Sequence, residues 1–362
     1  MKLIIAGGGT GGHLFPALAI ARAVMSESPQ SSILFVGTRL GIEARIIPDT
    51  EFSLAFIKAR GIRGTGLLNR IRGSFELPMA VVQSIALIRE FQPHAVLGVG
   101  GYASGPTVFA AALIGIPCAI QEQNSVMGTT NRILARLVDR VFVSWEHTEP
   151  VPNPEKTVLT GNPVREEVLS ACLEASPRTP NEIHILIFGG SRGARSINQA
   201  LANHVDELTP LADRLRIIHQ TGKEEIDKVR ECYQKAGLNA EVRDFIQDMG
   251  NVYAWADLVV CRAGASSLAE LTAVGKPAIV IPYPHAIGDH QNRNASILAQ
   301  KEAVRVIQDK ELANGALVKH IKELIQHKDI LHRMAEKSRL LGKRDAALMI
   351  ARELLKLGKG TS

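Results

Sequence analysis

Gly7 to His13 reads GGGTGGH, with a G-x-G-x-x-G spacing at Gly7, Gly9 and Gly12. Glycines let backbone N–H groups approach a phosphate closely, and a helix opening just beyond adds donors and the positive end of its dipole. A nicotinamide or flavin site of this type wants an acidic residue at the end of the second strand. Here that strand ends in Gly37-Thr38, which weakens the dinucleotide reading. A purely structural tight turn stays open. His13, at the mouth of the turn, suits a general base or a hydroxyl-orienting group.

Further turns of the same character recur. Gly100 to Pro106 reads GGYASGP, and Gln121 to Asn124 reads QEQN. The carboxamides and carboxylate of the latter suit sugar hydroxyls, with turn and cap residues as the bland alternative. Gly189 to Gly193, GGSRG, matches the G-x-S-x-G nucleophile elbow in a strand–turn–helix context. Ser191 with Asp289 and His290 would complete a hydrolase order, whereas a serine on a glycine turn is equally a phosphate ligand. Leu258 to Pro284 reads as strand, small-residue turn, helix and strand. It sets Arg262 and Glu270 at the carboxyl end of a strand, where ligands bind in open α/β sheets. Ser267 and Glu270 have the spacing of a helix capping box. His285 to Asn294, HAIGDHQNRN, is dense in hydrogen-bonding groups. There is no GxxxxGK[ST] P-loop, no Asp-x-Asp pair and no His/Cys set with zinc spacing, so no metal is expected. A bound nucleotide diphosphate would rely on backbone N–H groups and on cations such as Arg262 or Arg165.

These turns need strands to carry them. Leu3–Ala6, Ile33–Gly37, Ala95–Val99, Cys118–Ile120 and Val141–Val143 read as strands in the first half. A helix is expected from near Phe15-Pro16 to Glu27, and another over Glu76–Glu90. Ser144 to Pro163 breaks the pattern with four prolines, Leu169 to Pro180 is polar and Pro-bounded, and this region reads as the interdomain connection. The second half restarts with strands at His184–Phe188, Leu215–His219, Val242–Ile246, Leu258–Cys261, Ala278–Ile281 and Val304–Ile307, then ends in helices. Repeated βα units imply parallel, doubly wound sheets. LIIAGGGTGGH and HILIFGGSRGA open the two halves alike, which suggests two Rossmann-like domains facing across a cleft. Their bounds are expected at 1–163 and 164–344, with a terminal helix over 345–357 packing back on the first.

The 362 residues suffice for about two domains. Hydrophobic content is 46% and aromatic content 4%, so the cores are aliphatic, as buried parallel strands tend to be. A net charge of +6 fits a protein that meets phosphates or anionic lipid. Without an aromatic-interleaved basic run, nucleic acid is not an expected partner. Cys118, Cys172, Cys232 and Cys261 form no CxxC pair and read as free thiols in a reducing compartment. Met1-Lys2 runs straight into the first strand, and no apolar run reaches the ~18 residues of a membrane span. A cytoplasmic protein is expected.

Taken together, the motifs resemble the MurG family, the bacterial UDP-N-acetylglucosamine:lipid I N-acetylglucosaminyltransferases of peptidoglycan synthesis. The resemblance rests on Gly8 to His13, Gly100 to Pro106, Gln121 to Asn124, Gly161 to Arg165, Gly189 to Ala194, Arg262 to Glu270, and Gln291 with Asn294. Gln121 stands where histidine is common in the family. The resemblance implies the GT-B fold and an inverting transfer of N-acetylglucosamine that requires no cofactor. It implies that the second domain holds UDP-N-acetylglucosamine. Ile246 would offer backbone groups to uracil, and Glu270 would take the ribose hydroxyls. Ser191 and the turn of Ala265, Ser266 and Ser267 would bind the diphosphate, with Arg262, Leu268 and Ala269 in the same donor site. Gln291 and Asn294 would read the sugar, while Arg165, Asn124, Thr10, Gly11 and Gly12 also line the donor site.

On the first domain, Gly9, Gly101, Tyr102 and Ser104 would meet the acceptor, undecaprenyl-diphospho-N-acetylmuramoyl-pentapeptide. Its 4-hydroxyl would attack the anomeric carbon to give lipid II, with His13 as the first choice of base and Glu122 the second. The resemblance also implies a peripheral location on the cytoplasmic face of the inner membrane. Gly61 to Phe75 mixes Arg63, Arg70 and Arg72 with Leu67, Leu68, Ile71 and Phe75, which suits an anionic membrane surface. Two other classes remain open on the residues alone: the serine hydrolase, and a module that binds the sugar nucleotide without turning it over.

Overall fold

The computed structural model describes residues 1–59, 67–172, 181–190 and 193–360. It divides into two compact units, Met1–Arg165 with the segment from Lys343 onward, and Glu166–Gly342.

In the first unit the chain runs β1 (Lys2–Ala6), α1 (Gly11–Glu27), β2 (Ser32–Gly37), α2 (Glu43–Ile46), β3 (Ser53–Phe56), α3 (Leu67–Phe91), β4 (Ala95–Gly98), α4 (Ser104–Leu113), β5 (Cys118–Glu122), α5 (Thr129–Leu134), β6 (Arg140–Val143) and β7 (Thr157–Leu159). The seven strands form one parallel sheet in the order β3-β2-β1-β4-β5-β6-β7. Both faces are covered, which is why β1 is apolar at four successive positions. Leu3, Ile5, Phe35 and Leu97 enter the core on one face. Ile4, Ala6, Val36 and Val96 enter the other, together with Ile88 of α3 and Val108 of α4.

The second unit runs α6 (Glu166–Ala171), β8 (Ile183–Phe188), α7 (Arg195–His204), β9 (Leu215–Gln220), α8 (Ile226–Lys235), β10 (Asn239–Arg243), α9 (Met249–Trp255), β11 (Leu258–Arg262), α10 (Ala265–Val274), β12 (Ala278–Ile281), α11 (His290–Gln300), β13 (Val304–Val306), α12 (Ala316–Gln326) and α13 (Lys328–Leu341). Its sheet is again parallel, ordered β10-β9-β8-β11-β12-β13. The last helix, α14 (Ala346–Gly358), rejoins the first unit and packs on α1. Ile350, Ala351 and Leu354 are fully buried there, in the same core as Leu14 and Ala17.

Several elements differ from the sequence expectation. Helix α1 begins at Gly11 and runs through Pro16, so Gly11, Gly12 and His13 form its first turn instead of preceding it. Strand β10 lies at Asn239–Arg243, not Val242–Ile246, and Ile246 falls beyond it. It is an edge strand with one buried residue in five, so its polar positions hid it. Strands β3 and β7, at the edges of the other sheet, were hidden likewise. Strand β7 also shows that the Pro-rich segment contributes to the first sheet rather than serving only as a connection. The Ser267–Glu270 capping box does not form. Helix α10 starts at Ala265 with Gly264 as its N-cap and no side-chain cap bond. A capping box is present instead at Gln308 and Glu311.

All four cysteines are free, with Cys118 and Cys261 buried and Cys172 and Cys232 partly buried. Burial, then the Asp139 carboxylate, push the Cys118 thiol up to about 12. Burial likewise raises Cys261. Thiolate is the reactive form. Alkylation with iodoacetamide at pH 8 is therefore expected to modify Cys232 in the native protein and to spare Cys118 and Cys261 until denaturant is added. Peptide mass spectrometry reads the difference, and native labelling of Cys118 would contradict the burial.

Candidate active site

In an open parallel sheet the loops diverge where the strand order reverses, leaving a crevice at the carboxyl ends. In the first unit that point lies between β1 and β4, and in the second between β8 and β11. The four small-residue turns sit at these two points: Gly7–Thr10 after β1, Val99–Ala103 after β4, Gly189–Ala194 after β8, and Ala263–Gly264 after β11.

In the first unit the two turns clasp each other by their backbones. The Gly8 N–H donates to Gly100 O at 3.2 Å. A Cβ on Gly101, whose φ is +84°, would stand 2.3 Å from Gly8 O. That contact requires glycine on both grounds. The half-buried His13 ring lies against Gly100, where an added Cβ would come within 2.6 Å of its Cε1. Thr10 is the exposed N-cap of α1, and its carbonyl accepts the N–H groups of His13 and Leu14. Tyr102 is exposed, whereas Ser104 is fully buried at the start of α4. The Arg165 guanidinium stacks 4.5 Å from the Phe15 ring, and Phe15 abuts Gly11. Arg165, Gly11 and His13 are thus gathered around the start of α1.

Glu122, the second choice of base, lies among N–H donors. Its Oε1 accepts the Asn124 N–H and the Asn124 Nδ2 at 3.1 and 3.2 Å. Its Oε2 accepts the Gly128 N–H at 3.0 Å and Asn131 Nδ2 at 2.9 Å. A buried carboxylate whose oxygens each accept two N–H groups anchors a loop. These donors hold Glu122 in the loop, and Asn124 is held in place by it. Gln121 and Gln123 are buried beside it, with Gln121 donating to Asn162 Oδ1 at 3.1 Å and Gln123 to Val99 O at 2.7 Å.

In the second unit Ser191 lies outside the described residues. Gly190 and Gly193, which flank it, lie against the end of β9. A Cβ on Gly193, φ +74°, would meet Thr221 O at 2.0 Å. Gln220 donates to Gly190 O at 2.7 Å and accepts the Ile246 N–H at 2.9 Å. One buried side chain thereby ties the glycine turn to Ile246 and leaves the Ile246 carbonyl as that residue's other backbone group. Ala265, Ser266 and Ser267 form the half-exposed first turn of α10, and Leu268 is buried behind them. Ala269 is partly buried, and Glu270 is buried with Tyr253 OH donating to its Oε2 at 3.1 Å. Gln291 accepts the Tyr283 N–H at 2.9 Å, and Asn294 is fully buried on α11.

Arg262, expected as a phosphate cation, has a carboxylate partner. Its Nη1 lies 2.6 Å from Asp309 Oδ1 and its Nη2 donates to Ser196 Oγ at 2.6 Å. Ser196 in turn donates to the same Asp309 oxygen at 2.8 Å. The guanidinium closes a partly buried triangle between β11, α7 and the segment after β13.

The sequence reading missed Gln220, Asn131, Asp309 and Glu43, which act behind the turns. It also missed the His219 network. His219 is fully buried, between Tyr233 OH at 2.9 Å and Asn198 Oδ1 at 3.1 Å. Asn198 donates onward to Thr221 O and Glu225. Polar residues at the last positions of an apolar strand are the one signal that could have exposed Gln220 and His219.

Two parallel-sheet units with small-residue turns at their switch points define a class. Residues 3–143 match the glycosyltransferase family 28 N-terminal domain and residues 184–350 its C-terminal domain, and the architecture is that of the GT-B glycosyltransferases. The relatives narrow it further. The UDP-N-acetylglucosamine--N-acetylmuramyl-(pentapeptide) pyrophosphoryl-undecaprenol N-acetylglucosamine transferase of Geobacter sulfurreducens is 46% identical over 98% of each chain. That of Myxococcus xanthus is 44% identical over 97% of this chain and 91% of its own. The crystal structure of Acinetobacter baumannii MurG aligns with a TM-score of 0.79 at 30% identity, over 98% of this chain and 99% of its own. The chain belongs to the MurG family of N-acetylglucosamine transferases. A UDP-GlcNAc 2-epimerase from Neisseria meningitidis bound to UDP-GlcNAc, at 15% identity and a TM-score of 0.69, shares the fold.

Burial lowers the His219 pKa from 6.5 to about 3. Below pH 6.5 the unfolded chain therefore takes up a proton that the folded chain refuses until near pH 3. Stability falls with pH through that window, by up to roughly 1 kcal/mol per pH unit. His219→Gln removes this contribution. Urea unfolding at pH 7.0 and 5.5 is expected to show a smaller acid loss in the variant, and an equal loss in both proteins would refute the burial argument.

Proposed function

We propose that the chain transfers N-acetylglucosamine from UDP-N-acetylglucosamine to the 4-hydroxyl of the muramoyl sugar in the undecaprenyl-diphosphate-linked pentapeptide, making lipid II. The observation that carries this reading is the match to transferases of that one activity over essentially the whole chain. In this reading the second unit holds the donor. The α10 N-terminus and the glycine turn after β8 meet the diphosphate, with Glu270 at the ribose. The first unit presents the acceptor. The muramoyl 4-hydroxyl attacks the anomeric carbon as UDP departs from the opposite face, which inverts the centre to a β-1,4 link. His13 takes the hydroxyl proton. It is the imidazole that the paired turns of the first unit hold at their surface, whereas the Glu122 oxygens are taken up by N–H donors. Arg262 contributes as a brace for the donor turns, its charge being matched by Asp309.

The serine-hydrolase alternative finds no support. Asp289 is exposed and accepts from Asn292 Nδ2 at 2.5 Å, and both matching domain families are glycosyltransferases.

An acceptor carried on a polyprenyl chain places the enzyme at a membrane surface. Among the described residues no helix is long and apolar enough to cross a membrane. Of the expected basic–apolar patch, residues 61–66 lie outside the described residues, and the rest opens α3. A second feature supports surface binding. Met79 and Val82 of α3, Phe109 and Leu113 of α4, and Ile133 of α5 are 42% to 63% exposed. Helix α4 packs on both α3 and α5. Arg132 and Arg136 are exposed among the apolar residues of the last helix and its extension. Apolar and basic groups together suit an anionic bilayer surface.

A transfer assay with UDP-N-acetylglucosamine and a lipid I analogue is the direct test. Wild-type protein is expected to form the disaccharide product, and UDP binding without product would reduce the chain to a binding module. His13→Ala is expected to lower turnover about 10²- to 10⁴-fold while calorimetry finds UDP affinity little changed. A collapse of UDP affinity would make His13 a donor-site residue. For the membrane, Val82→Glu with Leu113→Glu is expected to reduce co-sedimentation with phosphatidylglycerol vesicles and leave turnover on a soluble acceptor analogue intact. Unaltered co-sedimentation would refute the patch.

A further inference from the structure

Glu43 opens the short helix α2, thirty-four residues after the glycine that it touches. Its side chain is almost completely buried. Oε2 accepts the Gly9 N–H at 2.6 Å. Oε1 accepts the Thr38 N–H at 2.8 Å and the Thr38 hydroxyl at 3.2 Å. Glycines wall it in. A Cβ on Gly8 would stand 2.3 Å from Oε2, one on Gly41 2.1 Å from the same oxygen, and one on Gly37 2.4 Å from Cγ. Three segments thus clear space for one side chain.

The chemistry of the cage selects a carboxylate. The Gly9 N–H, the Thr38 N–H and the Thr38 hydroxyl all donate to it, and a carboxylate is all acceptor, whereas an amide would set an NH2 against an N–H. Burying this anion costs several kcal/mol unless donors compensate. Here the donors come from the ends of β1 and β2, beside the N-terminus of the 17-residue helix α1, whose dipole favours negative charge. Glu43 faces the turn from within.

We propose that Glu43 is a positioning residue for the acceptor half of the transfer. By holding Gly9 it fixes the turn that launches α1, and so sets both the clasp of Gly8 on Gly100 and the seat of His13 against Gly100. This rests on reading His13 and the paired turns as the acceptor side. Small misplacements of a reacting group cost rate steeply, up to about a hundredfold per ångström.

Glu43→Gln keeps the shape and replaces one acceptor by a donor. Against a lipid I analogue at saturating UDP-N-acetylglucosamine, its turnover is expected to fall about ten- to a hundredfold. UDP affinity by calorimetry is expected to hold within about twofold. The His13 imidazole resonances, assigned with His13→Gln, are expected to shift. Thr38→Val removes a single hydroxyl contact, should move the same readouts less, and stands in if the Gln variant does not fold. Wild-type turnover and unmoved His13 resonances in a folded variant would overturn the proposal. So would a parallel loss of UDP affinity and turnover, which marks general packing. If wild-type protein transfers nothing to the analogue, the transferase reading fails, and the His13 resonances alone decide the role of Glu43.

Discussion

A parallel strand that ends beneath a ligand leaves backbone groups with no neighbour in the sheet, and every buried one of them needs a partner. Turns that must also stay narrow cannot carry side chains to supply it. In this protein the partners come from behind. Glu43 supports the turn after β1, and Gln123 takes the Val99 carbonyl at the turn after β4. Gln220 takes the Gly190 carbonyl at the turn after β8. The glycines at the surface and the polar groups beneath them are one device. Gly8, Gly37 and Gly41 are clear because Glu43 is there.

The supports differ in charge, and the difference follows from what they face. Among the described residues Glu43 and Glu122 meet N–H and O–H donors, which a carboxylate suits. Gln220 and Gln123 meet a carbonyl, so they must donate; Gln220 also accepts from Ile246. His219 sits where a cation would find no compensating charge, and burial keeps it neutral, able to bridge a hydroxyl and an amide oxygen. Matching each group to its partners avoids the cost of an unsatisfied buried group.

This division explains what the sequence disclosed. Apolar strands such as Leu3–Ala6 and Leu258–Cys261 are buried on both faces, so their runs were plain and the doubly wound class followed. The turn glycines were equally plain, since they lie in short clusters next to those strands. Edge strands were not, because β3, β7 and β10 are half-solvated and lack the run. The supports were least legible. Glu43 follows Gly41-Ile42 in what reads as an ordinary loop, and only folding brings it beneath Gly9. Glu270 shows the reverse error: a local spacing suggested a cap, while its partner, Tyr253, comes from the preceding helix.

The same logic bears on how a departing diphosphate is stabilised. Arg262 stands at the right strand end but spends its charge on Asp309, 2.6 Å away, with Ser196 completing the contact. Beside it stands oriented backbone: the first turn of α10, half-exposed at Ala265, Ser266 and Ser267 over buried Leu268. A helix end supplies about half an elementary charge in a fixed direction. Fixed dipoles need no reorganisation as charge develops on the leaving group, which is where electrostatic catalysis gains most. The Arg262 triangle joins the end of β11 to the start of α7, the elements next to the turns after β8 and β11. In the proposed reading of the donor site, Arg262 is a brace and the α10 N-terminus supplies the fixed positive potential.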